Sequence, residues 1–289
     1  MVFIGDKGCR FTSDILEFFT NRFSLFDENL LDENTIVLVT GGSGGLGLEL
    51  VKRLLVCKNK VIIVDIHPPT TDFGTADRVV FYRCDITDYD QVEELYNRIK
   101  YEHGTVSILL NNAGLTSISL LKSSSNDDMR RVIDVNFIGA YNMIQIFLPE
   151  MIKNNRGYVV NIASILGVIT PARLSSYGAS KAGLIALHIS ITRYLRSNYG
   201  KNNIKTLLVC PGKLKTTMFQ NVETPSKFLA PDVEPSKLAK RILTSIECNA
   251  TNTLSYPYYT NIVPFFKELN WPHIKAFKKF SGMNKVTAI

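Results

Sequence analysis

From Thr35 onward, short and nearly unbroken apolar runs alternate with longer stretches in which apolar residues recur every three or four positions. The short runs are rich in β-branched residues, as strands buried on both faces require. They predict six strands: TIVLVT ending at Thr40, KVIIVDI around Asp65, VVFYRCD ending at Asp85, VSILLNNAG leading to Gly114, GYVVNIAS ending at Ser164 and IKTLLVCPG ending at Gly212. Between them the helical period predicts helices over Leu46–Cys57, Tyr89–Glu102, Asp127–Lys153, Tyr177–Tyr199 and Pro235–Glu247. The last begins on proline, where a missing N–H costs nothing. A further short strand around Leu254–Tyr256 makes seven. This order predicts an α/β chain with a doubly wound parallel seven-stranded sheet, helices on both faces, and a ligand crevice at the carboxyl ends of the strands. The expected organisation is an amphipathic extension over 1–34, one large domain over 35–260 and an amphipathic tail over 261–289.

Composition narrows the partners. A formal charge of +7 suits anionic ligands or a negative membrane surface as well as a plain solvated exterior. The Lys and Arg residues are scattered, with no aromatic-and-basic motif and no metal-finger spacing, which argues against nucleic acid. Five cysteines, Cys9, Cys57, Cys84, Cys210 and Cys248, form no CxxC pair and read as reduced thiols. The four histidines do not cluster, so no metal is expected. The N-terminal stretch has neither a secretory nor a transit pattern, and no run approaches the roughly 20 apolar residues of a membrane span. The reading is a cytosol-facing protein, either soluble in the cytoplasm or adsorbed to a membrane.

Chemistry enters at Thr40-Gly41-Gly42-Ser43-Gly44-Gly45-Leu46-Gly47, between the first strand and an amphipathic helix. Glycines there let a pyrophosphate approach the free N–H groups of the helix start, as in a Rossmann dinucleotide fold. The turn is not a nucleoside-triphosphate P-loop, because no lysine follows Gly47 until Lys52. Asp65, 18 residues beyond Gly47, can accept hydrogen bonds from both adenosine ribose hydroxyls and would repel the extra phosphate of NADP. It could equally begin the turn into His67-Pro68-Pro69. Farther on, Tyr177 and Lys181 are i and i+4 on one helix face. An ammonium beside the phenol is expected to depress its pKa from about 10 toward neutrality, turning an inert side chain into an acid/base.

Together, TGGSGGLG, NNAG at Asn111 to Gly114, Asn136, Ser164, Tyr177-xxx-Lys181 and Pro211-Gly212 resemble, in order and spacing, the short-chain dehydrogenase/reductase family over roughly Thr35 to Met218. The resemblance implies Tyr177 as catalytic acid/base, Lys181 as the residue that lowers its pKa and holds the nicotinamide ribose, Ser164 as the orienter of the substrate oxygen, and Asn136 as the anchor of a proton-relay water. Gly41, Ser43, Gly45, Leu46 and Gly47 would line the pyrophosphate, while Asp85 and Ile86 would meet the adenine. Asn112, Ala113 and Gly114 would flank the adenosine ribose; Pro211, Leu214 and Thr216 would complete the cofactor set, with Thr216 at the carboxamide. The implied cofactor is NAD, with NADP as the alternative. Each residue also has a structural use: Asn111 and Asn136 could satisfy buried backbone groups, and Ser164 or Thr216 could cap.

LLNNAG, FLPEMIKNNRGYVVNIAS and FSGM resemble the retinol dehydrogenase and 17β-hydroxysteroid dehydrogenase branch. That implies a small lipophilic alcohol or carbonyl substrate at endoplasmic reticulum or lipid-droplet surfaces, and a homodimer is the expected assembly. Ile15, Phe18, Phe19, Phe23 and Phe26 approximate one helical face, and Phe265, Phe266, Trp271 and Phe277 interleave with Lys275, Lys278 and Lys279. Such segments suit an interfacial membrane contact, or else a pocket lid or dimer packing. Two other readings are a cofactor-binding scaffold without turnover, which the intact Asn136, Ser164, Tyr177 and Lys181 set disfavours, and an NAD-dependent epimerase or dehydratase, for which little chain remains after Met218.

Overall fold

The computed structural model describes residues 31–74, 77–118, 125–199, 203–220 and 231–264. The aromatic faces expected at Ile15–Phe26 and Phe265–Phe277 lie outside the described residues.

Seven strands form one parallel sheet: β1 Ile36–Thr40, β2 Lys60–Asp65, β3 Val79–Arg83, β4 Ile108–Asn111, β5 Gly157–Ile162, β6 Ile204–Pro211 and β7 Thr253–Tyr256. Their order is β3-β2-β1-β4-β5-β6-β7, with every neighbouring pair parallel. The chain runs outward from β1 to β3 and then returns to β4 on the other side of β1. Neighbouring connections diverge at that reversal and leave a crevice beyond the strand ends.

Alternate side chains of each strand feed opposite layers, which is why the runs are continuously apolar. On one face, Val37, Val39, Val61, Ile63, Leu110 and Val209 pack against helices α1 (Gly45–Val56) and α6 (Pro235–Glu247). On the other, Leu38, Ile62, Val64, Leu109 and Val159 meet α2 (Tyr89–Glu102) and α4 (Ala140–Lys153). Helix α5 (Ser175–Tyr199) covers β6 through Leu184, Leu208 and Cys210. Cys84 and Cys210 are buried free thiols, while Cys57 and Cys248 are nearer the surface.

The expected helix over Asp127–Lys153 is interrupted. Helix α3 (Asn126–Ile133) passes into a π-turn at Asp134–Gly139 before α4 begins. The turn accommodates one additional residue per hydrogen-bonded ring, which rotates Asn136 relative to the flanking helices. The 28-residue stretch Asn126–Lys153 has the length and apolar content to cross a membrane, but half of its most apolar window is buried inside the fold.

Leu110 is fully buried in the central strand β4. Leu110→Ala should destabilise the fold by about 3 kcal/mol, lowering the urea midpoint without changing the slope of the transition. A loss below about 1 kcal/mol would show that β4 is not at the centre of the core.

Candidate functional site

The glycine turn after β1 is shaped by backbone contacts. Gly41 adopts φ +64°, and a Cβ there would lie 2.8 Å from the Ala113 Cα. A Cβ on Gly47 would lie 2.1 Å from the Gly41 carbonyl oxygen, so this glycine lets α1 start directly against the turn. The turn is tied to the segment after β4: Thr40 Oγ1 accepts from the N–H groups of Asn112 and Ala113, both at 3.0 Å. Asn112 Nδ2 returns bonds to the carbonyls of Thr40 and Gly41. Thr40 and Asn112 thus lock two strand ends together, a role the sequence motifs did not single out for Thr40.

A crevice of about 1060 Å³ opens above these strand ends. Of the expected site residues, Gly41, Gly45, Leu46, Asp65, Asp85, Ile86, Asn112, Ala113, Gly114, Ser164, Tyr177, Lys181, Pro211, Leu214 and Thr216 line it. Three expected residues do not. The Ser43 N–H donates to Asp65 Oδ2 at 3.2 Å and its hydroxyl donates to the His67 carbonyl at 2.6 Å, so Ser43 braces the Asp65 turn. Gly47 is enclosed by the Gly41 backbone and the Asn112 side chain. Asn136 is 1% exposed in the π-turn. Its Oδ1 accepts from the Leu115 N–H at 2.8 Å, while Nδ2 donates to the Leu115 carbonyl and the Ser180 hydroxyl, each at 2.9 Å. It holds the Asn112–Leu115 loop to α5 and makes no cavity wall.

Asp65 takes the turn-forming use and also faces the crevice. Its carboxylate accepts from the N–H of His67, shaping the turn, and still lines the crevice.

Tyr177 and Lys181 sit on the first turns of α5, both about 5% exposed. The loop from Ser164 to Leu174 lies directly on that helix: a Cβ on Gly178 would fall 2.2 Å from Thr170 Oγ1, and one on Gly167 would fall 2.8 Å from the Lys181 backbone carbon. This close approach brings Ser164 beside the Tyr177 phenol as a hydrogen-bonding neighbour. Lys181 Nζ donates to the Ile162 carbonyl at 2.8 Å and stands 5.9 Å from the centre of the Tyr177 ring.

The expected depression of the Tyr177 pKa is not found. Burial pushes the phenol up to about 12, against the lowering effect of Ser164. Burial likewise brings the Lys181 ammonium down to about 8. The spacing places the two groups on one face, but desolvation is the largest influence on both.

The residues fit a dinucleotide. Gly44 caps α1 with no side-chain hydrogen bond, and no acidic residue occupies the first helical turn. The free N–H groups and positive dipole end there are suited to a pyrophosphate. A Cβ on Gly44 would meet nothing within 4 Å, so the approach is open. Opposite the turn, the Thr216 methyl lies 3.4 Å from the position a Gly45 Cβ would take and closes the other wall. Apolar residues not signalled by any motif complete the crevice: Leu115, Leu166, Ile169, Leu174, Met218 and Phe219, together with Tyr259, Ile262 and Val263 from the chain after β7. Among the described residues no group of three potential metal ligands occurs.

The family model for short chain dehydrogenases matches residues 35–227. An uncharacterized oxidoreductase of Saccharomyces cerevisiae is 48% identical over 267 residues, covering 91% of this chain and 87% of the yeast protein. Epidermal retinol dehydrogenase 2 of Mus musculus is 34% identical over 219 residues, covering 73% of this chain and 70% of its own length. The ligand-free structure of Thermoplasma acidophilum aldohexose dehydrogenase is 28% identical, with a TM-score of 0.70 over 81% of this chain and 96% of that one. A dinucleotide-shaped crevice on a sheet of this order, in a sequence so matched, places the chain in the short chain dehydrogenase family, as an NAD(P)-dependent oxidoreductase.

Proposed function

We propose that the protein interconverts a lipophilic alcohol and its carbonyl counterpart, with Tyr177 as the acid/base. The observation that carries this reading is the buried Tyr177 hydroxyl, flanked by Ser164 and one helical turn from Lys181, in the wall of a crevice lined by many apolar residues together with charged Asp127, Arg130, Arg131 and Asp134. A bound nicotinamide nucleotide would supply the hydride acceptor or donor. Gly41, Gly45, Leu46, Asp65, Asp85, Ile86 and the Asn112–Gly114 turn would hold its adenosine and pyrophosphate, with Lys181, Pro211, Leu214 and Thr216 toward its other end; all of them line the crevice.

In oxidation, Ser164 Oγ orients the substrate oxygen and the Tyr177 phenolate takes its proton as hydride leaves the carbinol carbon; reduction reverses the steps. The Tyr177–Lys181 pair loses its first proton near pH 8, the value to which burial brings Lys181. Of the two singly deprotonated forms, the one with charged Lys181 and phenolate Tyr177 is the base needed for oxidation, and with the phenol pushed up to about 12 it is the minor one. Leu115, Leu166, Leu174 and Phe219 give the substrate end an apolar lining, in keeping with the retinol named for the mouse relative. Asp65 favours NAD, because its carboxylate would face the added phosphate of NADP.

Tyr177→Phe should fold and bind nicotinamide nucleotide within about threefold of the wild type yet lose roughly 10³ in kcat, the usual worth of a positioned acid/base. Near-normal turnover on a verified substrate would sink the assignment. For alcohol oxidation, kcat/KM should climb with pH to a plateau above about 8, and for carbonyl reduction it should fall over the same range; flat profiles in both directions would contradict the shared-proton pair. Absorbance assays with retinoids, steroids and long-chain alcohols should show preference for NAD, which Asp65→Ser narrows by about tenfold. A strong NADP preference in the wild type would overturn the role given to Asp65.

A further inference from the structure

The segment after β7 lies beyond the 35–227 match to the family model, yet it reaches the crevice through Tyr259, Ile262 and Val263. Its turn is held rigidly. Buried Thr260 bonds the Pro257 carbonyl through both its N–H (3.0 Å) and its hydroxyl (2.7 Å), and the Gly212 N–H donates to the Tyr256 carbonyl at 2.8 Å. The Tyr259 hydroxyl lies near the Lys213 backbone N–H. It also fills the space beside Gly212: a Cβ there would lie 2.2 Å from the hydroxyl oxygen, 3.0 Å from Cζ and 3.1 Å from Pro257 Cδ. The other flank of the loop is pinned by mutual backbone bonds, Val233 N–H to the Lys213 carbonyl at 2.8 Å and Lys215 N–H to the Val233 carbonyl at 2.9 Å.

We infer that Tyr259 is a positioning and specificity-determining residue: its phenol sets the Pro211–Leu214 loop at the nicotinamide end of the cofactor, while its ring forms part of the substrate wall with Ile262 and Val263. The inference rests on the functional reading above, in which that loop holds the end of the cofactor bearing the reactive ring. One side chain thereby couples two surfaces. It meets the loop through its hydroxyl and also lines the crevice, so the identity of the segment after β7 tunes both the seating of the cofactor and the shape of the substrate end. Gly212 is the complementary requirement, because a larger residue cannot share the space with the phenol.

The test measures NAD and ADP-ribose binding calorimetrically to the full chain; ADP-ribose keeps every contact except those to nicotinamide. Tyr259→Phe should weaken NAD about fivefold and leave ADP-ribose unchanged, since only the loop at the nicotinamide end loses the hydroxyl packed against it. Gly212→Ala should weaken NAD by at least about tenfold, and Gly212→Ala with Tyr259→Ala should recover most of that loss because the clashing ring is gone. With a verified alcohol, Tyr259→Ala should raise KM more than it lowers kcat. Equal effects of Tyr259→Phe on both nucleotides, or no effect on either, would overturn the inference alone, as would equal damage by Gly212→Ala with and without Tyr259. A wild-type chain that binds neither nucleotide would overturn the functional reading and this inference with it.

Discussion

A sheet buried on both faces leaves few places for chemistry. Every strand from β1 to β6 is covered by helices above and below, so polar side chains are excluded along most of their length and collect where the strands end. Thr40, Asp65, Asp85, Asn112, Ser164 and Pro211 all stand at or just beyond a carboxyl end. Because β1 and β4 are neighbours while their connections depart in opposite directions, these ends surround one crevice. The glycines then set how closely its two walls approach. Substituting Gly41 or Gly47 would push the turn away from Ala113 or from the start of α1, since the atoms in the way are backbone and cannot rotate aside.

One polar ladder does run through the interior, and it sits directly behind the candidate acid/base pair. Asn111 of β4 donates to Asn161 of β5 at 2.9 Å, and Asn161 bonds His188 Nδ1 of α5 at 3.1 Å. Burial holds His188 far down, at about 4, so it stays neutral throughout the physiological range. Burying three polar side chains is costly unless their bonds are satisfied; here the bonds cross from strand to strand to helix, and the Asn111 Oδ1 atom is left without a partner. Lys181 lies two turns before His188 on α5, and its ammonium binds the carbonyl of Ile162, the residue after Asn161. The ladder and the lysine therefore fix the same helix to the same strand, and the rotation of α5 that presents Tyr177 to the crevice follows from both.

Much of this was legible in the chain, for identifiable reasons. Strand order and layers follow from long-range periodicity, which tolerates local exceptions, and the crevice-lining residues follow from motifs placed at strand ends. The exceptions are local and steric. A π-turn adds a single residue to a helix whose apolar stripe barely changes, so the period over Asp127–Lys153 reads through Asn136 without a break. Spacing told that Ser43 and Gly47 belong to the glycine turn but not which way each faces: one braces Asp65 and the other is enclosed by backbone. Tyr259 carries no motif at all, and only the return of the chain past β7 brings it to Gly212. The buried Asn111–Asn161–His188 ladder lies hidden in apolar runs for a similar reason, because its partners are joined by register and not by sequence distance.

The largest departure concerns the phenol, and it has an energetic logic. An i, i+4 spacing reports neighbourhood, whereas a pKa depends on neighbourhood and solvation together. Moving Tyr177 from its ordinary value to about 12 corresponds to a penalty of about 3 kcal/mol on the phenolate. The burial that imposes this penalty also lowers the local dielectric, and in a low dielectric the attraction between a phenolate and the Lys181 ammonium grows in the same proportion. Admitting water would relieve the desolvation of each group and weaken their attraction together. Burial therefore keeps the proton on the phenol in the absence of a nearby charge. Under the proposed function, apolar walls at Leu166, Leu174 and Phe219, and the segment with Tyr259, Ile262 and Val263, would serve that balance as much as they would serve to recognise a substrate.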